Sequence, residues 1–310
     1  MKLSVVWDWE PEYYQTITWQ DGLAAALKEL INRGHELQIL TVGNDELIKH
    51  PYFDIWAMKD IPTAIKRFNP DAILHWADLT RPNAIETYKL GIPQAICFAG
   101  GDTNAENLDL FDHIFVESEV YKKDFLEKGK SVSTAFGTNT SLFTPIEQPK
   151  YYDTIFPATF ALWKRHDLYA KATNGLKSLA VGYMYTDHEQ ECWKTCLDNN
   201  VMILPHVSAE TLHYLYAASR VCVITSESYG GSQRTVLEAM AMNLPVIITV
   251  SDKFDFADGL VDVSEPSIQT LREIIEQNLH KQRQTRDYII TNWSEYTYAD
   301  SLEKGLNEII

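Results

Sequence analysis

Short runs of apolar, β-branched residues alternate with longer amphipathic stretches along the first half of the chain. This alternation predicts a mainly parallel sheet with helices on both faces. A helix predicted from about Trp19 to Asn32 places Leu23 and Leu27 on one side, and Gly34 follows where a helix end favours a left-handed residue. A second helix is expected over Tyr121–Lys128. The strands predicted in this half are KLSVVW, ELQILTV, DAILHWA, QAICFAG, HIFVES and SVSTAFG.

The alternation stops at SLFTPIEQPKYYD, which begins at Ser141 and contains two prolines, and then restarts. Its second part predicts the strands DTIFPATF, SLAVGYM, NVMILP, RVCVITS, PVIITV and GLVDV. Helices are expected over Arg165–Asn174, His188–Asn199, Ala209–Ala218, Ser232–Met242 and Ile268–Leu279, and in a tail from about Asn292.

The pattern therefore predicts an α/β protein with two Rossmann-like, doubly wound parallel-sheet domains that face a cleft. We expect an N-terminal domain over 1–145, a C-terminal domain over 146–291, and a helix over 292–310 that can pack back on the first domain. Ligands of such sheets bind beyond the carboxyl ends of the strands.

Composition narrows the classes of function. Hydrophobic residues make up 45% of the 310, which is enough for packed cores. The formal net charge of −16 makes nucleic acid an unlikely partner. No apolar run reaches the roughly 18 residues of a membrane span, and the start does not resemble a signal peptide. The four cysteines lack zinc or redox spacing, so we expect reduced thiols and a cytoplasmic protein, with peripheral membrane contact left open.

The most informative stretch is TSESYGGSQRTVLEAMAMNLPVIIT, from Thr225 to Thr249. It predicts a strand, a glycine-containing loop, a helix and a further strand. Exposed N–H groups at the start of such a helix, with the helix dipole, can seat a phosphate, and Glu238 in its second turn can accept hydrogen bonds from a ribose. The residues expected around the phosphates are Gly230, Gly231, Ser232, Gln233 and Arg234. Taken alone, two glycines before a helix would more often mark an ordinary turn.

Three further positions are candidates for ligand binding or catalysis. Lys164, followed by Arg165 and His166, can neutralise a diphosphate, although a solvated surface cluster is the alternative. His75, near a strand end, can hydrogen-bond a sugar hydroxyl or can be a core histidine. Asp102, after two glycines, can bind an acceptor or can form an Asx turn. No carboxylate pair argues for a metal site.

The signature stretch, with LEAMA at Leu237–Ala241 and LPVI at Leu244–Ile247, resembles the donor-binding segment of retaining GT-B glycosyltransferases of the group 1 or family 4 type. These are relatives of the glycogen, sucrose and mannosyl-transfer enzymes. RGHELQILTVG, GTNTSLFTP and FALWKRHDL are similar to further segments of that family, in the same order, so the resemblance covers nearly the whole chain.

The resemblance implies transfer of a sugar from a nucleoside-diphosphate sugar to an acceptor hydroxyl, with retention. Because no carboxylate pair offers a metal site, we expect activity without a metal or other cofactor. Lys164 and Arg234 would face the leaving diphosphate, Glu238 would bind the ribose, and Asp102 and His75 would act on the acceptor side. The acceptor class stays open among glycans, lipid-linked molecules and small molecules.

Two departures from the family pattern favour other functions. Gly230 stands where the family has its first signature glutamate, with Glu227 as a possible replacement, and Thr159 stands where it has an arginine, with Arg165 or Arg234 to compensate. The main alternative is a GT-B protein that binds a nucleotide sugar or glycan without turnover. A two-lobed binding protein of the periplasmic type and a sugar-nucleotide epimerase are further alternatives.

Overall fold

A computed structural model describes residues 1–7, 21–184, 190–205, 207–227, 234–249 and 259–310. The chain divides into two compact units. The first comprises Met1–Gly137 and Glu295–Ile310, and the second comprises Thr138–Ser294.

The first unit is built on a parallel sheet with one antiparallel edge. Within the described residues, eight strands follow the order β3-β4-β2-β1-β5-β6-β7-β8, and only β3 and β4 pair antiparallel. The strands are β1 (Lys2–Trp7), β2 (Glu36–Val42), β3 (Glu46–Lys49), β4 (Asp54–Met58), β5 (Ala72–Ala77), β6 (Gln94–Phe98), β7 (His113–Val116) and β8 (Val132–Thr134). The helices are α1 (Gly22–Asn32), α2 (Ile61–Phe68), α3 (Pro82–Tyr88), α4 (Glu119–Glu127) and the C-terminal α11 (Glu295–Asn307).

The core of this unit contains residues from an early helix, α1, and from the last helix, α11. The Asp21 carboxylate caps α1 by accepting a hydrogen bond from the Ala24 N–H at 2.9 Å. Helix α11 then packs on α1, and its leucines enter the same core. The core members from these two helices include Leu23, Leu27, Leu30, Leu302 and Leu306. Apolar burial therefore fixes the last helix on the first unit.

The second unit is a wholly parallel sheet. Within the described residues its order is β11-β10-β9-β12-β13-β14. The strands are β9 (Tyr152–Pro157), β10 (Ser178–Gly182), β11 (Met202–Pro205), β12 (Ser219–Ile224), β13 (Val246–Ile248) and β14 (Asp262–Val263). The helices are α5 (His166–Ala172), α6 (Gln190–Asp198), α7 (Ala209–Ala217), α8 (Arg234–Ala241), α9 (Ile268–Asn278) and α10 (Arg286–Trp293).

The predicted α/β class with two parallel-sheet domains is confirmed. The structural division lies after Gly137, whereas the sequence pattern set it after residue 145. The reason is local, because the Arg286 guanidinium donates hydrogen bonds to the carbonyls of Thr140 at 3.0 Å and Phe143 at 2.6 Å. The segment after Gly137 is thereby tied to the second unit.

The sequence pattern did not predict the β3–β4 hairpin or helices α2, α3 and α10. The predicted linker region contains no described helix or strand before β9. All four cysteines are buried free thiols. No helix in the described part of the chain is both long and apolar enough to cross a membrane.

Candidate functional site

The candidate site lies where the second sheet changes its winding direction. From β9 the chain adds β10 and β11 on one side, and it then returns to add β12, β13 and β14 on the other. The loops that leave the carboxyl ends of the neighbouring strands β9 and β12 therefore flank a topological switch point. Such points are the usual ligand sites of doubly wound sheets. The two loops carry Lys164, Arg165 and Glu227.

The first loop forms a tight turn that is held by the second. A 3₁₀ turn over Leu162–Lys164 precedes Arg165, whose backbone is left-handed with φ of 56°. The buried Thr225 hydroxyl donates to the carbonyls of Lys164 at 2.8 Å and Arg165 at 3.1 Å. A left-handed non-glycine residue costs about 1 kcal/mol or more and persists only where its surroundings hold it. Thr225 supplies part of that support.

Glu227 makes a second set of contacts between the two loops. Its backbone N–H donates to the Trp163 carbonyl at 2.8 Å, and its Oε1 lies 3.9 Å from an Arg165 guanidinium nitrogen. The same guanidinium donates from Nε to Asp167 at 2.9 Å. Burial disfavours the ionised form of Asp167, but the hydrogen bond and charge of Arg165 outweigh it and hold the pKa of that carboxyl below its ordinary value. Arg165 is therefore shared between two carboxylates.

Lys164 is the other cation of this turn, and its side chain is half-buried. The structure thus brings together three predicted site residues, Lys164, Arg165 and Glu227. A cation at a preformed turn beside a sheet's switch point is suited to contact a diphosphate.

Helix α8 follows β12 and begins, in its described part, at Arg234. Glu238 is only 5% exposed, and its Oε2 accepts a hydrogen bond from the Tyr216 hydroxyl at 2.9 Å. Burial, together with the charge of Glu238, raises the pKa of Tyr216 and keeps it a donor. One carboxylate oxygen of Glu238 is thus bonded within the domain, and its contact with a ribose stays a prediction. Gly230, Gly231, Ser232 and Gln233 lie outside the described residues.

Two supporting residues of this site were missed by sequence reasoning. In the sequence, Thr225 is only the first residue of the signature stretch, whereas in the structure its hydroxyl holds the turn. Gly182 ends β10, and a Cβ there would lie 1.9 Å from the Ala158 carbonyl oxygen. Only glycine allows that approach between β10 and the chain leaving β9. The glycine at a strand end was the available signal.

The two candidates in the first unit have other surroundings. His75 is fully buried in β5, its Nε2 is 3.1 Å from the Thr87 hydroxyl, and its ring meets Phe111 edge-on at 5.7 Å. Burial lowers the pKa of His75 to about 4, so the imidazole is neutral near pH 7. Asp102 is exposed, and its Oδ1 accepts a hydrogen bond from the Asn104 N–H at 2.8 Å. His75 is therefore a core histidine, and Asp102 forms an Asx turn.

Among the described residues, no group of three or more histidine, cysteine, aspartate or glutamate side chains is arranged to hold a metal ion. Asp252, Asp255 and Asp258 lie outside those residues.

Comparison with solved structures identifies the class of fold as GT-B. The chain is similar to sucrose-phosphate synthase from Thermosynechococcus elongatus, with a TM-score of 0.76, 14% identity, and coverage of 99% of this chain and 98% of the other. It is similar to a glycosyltransferase from Rickettsia africae, with a TM-score of 0.73, 18% identity and coverage of 99% and 98%. It is also similar to HepE from Anabaena, solved with UDP and glucose, with a TM-score of 0.74, 14% identity and coverage of 99% and 100%.

The sequence comparison agrees with the fold. Residues 155–266 match the model of the family described as Glycosyl transferases group 1. That range begins in β9, lies within the second unit and includes the whole of the candidate site. The predicted family resemblance is confirmed. No curated protein matches the chain by sequence.

Proposed function

We propose that this protein is a glycosyltransferase that moves a sugar from a nucleoside-diphosphate sugar to an acceptor hydroxyl. The observation that carries the proposal is the turn of Lys164 and Arg165, held at the switch point by Thr225 and Glu227. It lies inside the segment that matches the group 1 family. Such a turn presents a fixed cation to a ligand that is itself anionic.

The donor is a nucleotide sugar, and UDP-glucose is the first candidate to assay. HepE has been solved with UDP and with UDP-glucose, which supports a uridine nucleotide here as well. Lys164 contacts the diphosphate, with Arg234 beside it at the start of α8. Glu238, whose Oε2 accepts a hydrogen bond from Tyr216, is the proposed ribose ligand.

The chemistry requires stabilisation of a departing diphosphate. Negative charge on that group grows as the glycosidic bond breaks, so a preorganised cation contributes more in the transition state than in the ground state. The Arg165 guanidinium is shared by Asp167 and Glu227, and Lys164 is the other cation of the turn, for which we propose this role. We propose that the leaving phosphate accepts the acceptor proton, which gives retention without a protein base, and that fixed cations replace a metal.

A nucleotide-sugar-binding protein without turnover is the second candidate. It is favoured by Gly230 and Thr159, which replace two charged residues of the family pattern, and by the commitment of Arg165 to neighbouring carboxylates. Both candidates predict nucleotide binding, and only the first predicts release of nucleoside diphosphate from a donor.

The test is a thermal-shift panel of UDP, GDP, ADP and their sugars, followed by an assay of donor hydrolysis with the best binder. Binding raises the melting temperature by mass action. Lys164→Ala should keep part of the shift caused by the diphosphate, because the contact of Lys164 is expected to strengthen mainly in the transition state. Lys177→Ala is the matched control. Lys177 is exposed and directly precedes β10, so it lies at the amino ends of the strands, whereas Lys164 lies beyond their carboxyl ends. A panel without any shift would contradict both candidates, and binding without donor breakdown would favour the second.

A further inference from the structure

A cavity of about 500 Å³ lies within the second unit, away from the candidate site. Arg220, at the start of β12, and Pro245, just before β13, both line it. These are the amino ends of the strands, whereas the turn of Lys164 lies at their carboxyl ends. The six residues of β12 therefore separate the two places by roughly 20 Å. The volume falls in the usual range for sites of small molecules.

The lining of this cavity is strongly cationic. Lys150, Arg220, Lys281 and Arg283 contribute four positive charges, and none of the described residues that line it is acidic. The whole chain has a net charge of −16, so this concentration of cations is local and opposite in sign to the rest of the molecule. A concave surface with one sign of charge concentrates counter-ions.

Neighbouring groups neutralise only part of this charge. Arg220 lies 3.5 Å from Asp153, and Arg283 donates to Asp262 at 2.6 Å. Within the described part of the chain, the Lys281 ammonium has no hydrogen-bond or ion-pair partner. Two positive charges therefore remain after pairing.

Two nitrogens of the lining add to the demand for an anion. The Lys150 ammonium donates to the carbonyls of Ala217 at 2.7 Å and Ser219 at 2.8 Å, which hold it in place without neutralising it. Burial, and then the charge of Arg220, lower the pKa of Lys150. The Nε of Arg283 is buried without a hydrogen-bond partner among the described residues, which is unusual for a guanidinium.

The carbonyl groups at the C-terminal end of α8 are already hydrogen-bonded, which limits their repulsion of an anion in the cavity. Met242, Asn243 and Leu244 follow α8 and line the cavity, so the negative end of the helix dipole points towards it. Its terminal carbonyls are already bonded, however. The Thr285 hydroxyl donates to the Met240 carbonyl at 2.7 Å, and Arg286 donates to the Ala241 carbonyl at 3.1 Å.

We infer that this cavity is a binding site for a small organic phosphate, distinct from the proposed donor site. The phosphate dianion would be held by Lys150 and Lys281, the two charges that internal pairing leaves over, with the Nε of Arg283 as a further donor. The apolar part of the lining, from Ile146, Leu244 and Leu279, would contact the carbon skeleton. This inference does not depend on the proposed transferase activity.

The test is calorimetric titration of the full chain with glycerol 3-phosphate and glucose 1-phosphate. Inorganic phosphate measures the contribution of the anion alone, and glycerol and glucose are the uncharged controls. Lys281→Gln and Arg283→Gln should each weaken binding by about tenfold or more, because each removes a charged hydrogen-bond donor. Lys281 is exposed and unpaired among described residues, so its variant keeps the test valid if Arg283→Gln fails to fold.

Lys177→Gln and Lys164→Ala should bind the phosphate esters as the wild type does. The first removes an exposed cation elsewhere in the same unit, and the second impairs the proposed donor site alone. Loss of binding in Lys164→Ala with no change in Lys281→Gln and Arg283→Gln would assign the anion to the donor site and overturn the inference. Absence of saturable binding by the wild type at millimolar concentration would overturn it as well.

Discussion

The hydroxyl of Thr225 offers the sharpest structural test of the candidate site. Thr225→Val keeps the shape of the side chain and removes its only donor. The Arg165 carbonyl retains hydrogen bonds from Leu168 at 3.0 Å and Tyr169 at 3.2 Å, so the main loss is at the Lys164 carbonyl. Leaving one partly buried carbonyl without this donor should lower the free energy of unfolding by about 1 kcal/mol. Nucleotide affinity should fall as well, because the turn no longer holds Lys164 in one position.

A matched threonine lies at the end of the neighbouring strand. Thr249 is also buried, but its hydroxyl has no hydrogen-bond partner in the described part of the chain. Thr249→Val should therefore leave stability unchanged or raise it slightly, and Thr225→Ser should keep most of the wild-type value. Urea unfolding and nucleotide titration measure both effects. If Thr225→Val and Thr249→Val unfold at the same urea concentration, the hydroxyl of Thr225 does not hold the turn.

Three further predictions concern stability and turnover. Gly182→Ala should destabilise the protein by about 3 kcal/mol or more in urea unfolding, because its Cβ would meet the Ala158 carbonyl; near-wild-type stability would contradict this contact. Burial lowers the pKa of His75 to about 4 and of His166 to about 3, so the unfolded chain binds protons first and stability should fall as pH drops below about 6.5. His166→Phe should make that pH dependence shallower, and an unchanged slope would rule out its contribution. Donor turnover should persist in EDTA, whereas complete loss that magnesium or manganese restores would require a metal.

Strand–helix alternation was enough to predict the class of fold, but not every element. The β3–β4 hairpin escaped because ELIK is a short, charged and largely exposed edge strand, which has too few buried positions to show a period. Helix α2 is only eight residues long and has a proline near its start, so the sequence pattern there indicates a loop rather than a helix.

The sequence could predict those candidate residues that directly follow a predicted strand. Lys164 and Glu227 follow β9 and β12, and the sheet order brings these strands together. The sequence left the place of His75 open between the core and a ligand, because β5 is buried on both faces and such a strand has no alternation to show which residues point inwards. The roles of Thr225 and Gly182 depend on contacts between loops distant in sequence, which no local pattern reveals.

The most direct test of the central claim compares turnover and donor binding in Lys164→Ala, with Lys177→Ala as the control. If the protein is a transferase that uses Lys164 to stabilise the leaving diphosphate, the rate of nucleotide release should fall by about 10²–10³-fold, and donor affinity should fall much less. Lys177→Ala should match the wild type in both. Equal losses of rate and affinity would make Lys164 a ground-state anchor, and a wild-type protein that binds donors but releases no nucleotide from any of them would contradict the transferase itself.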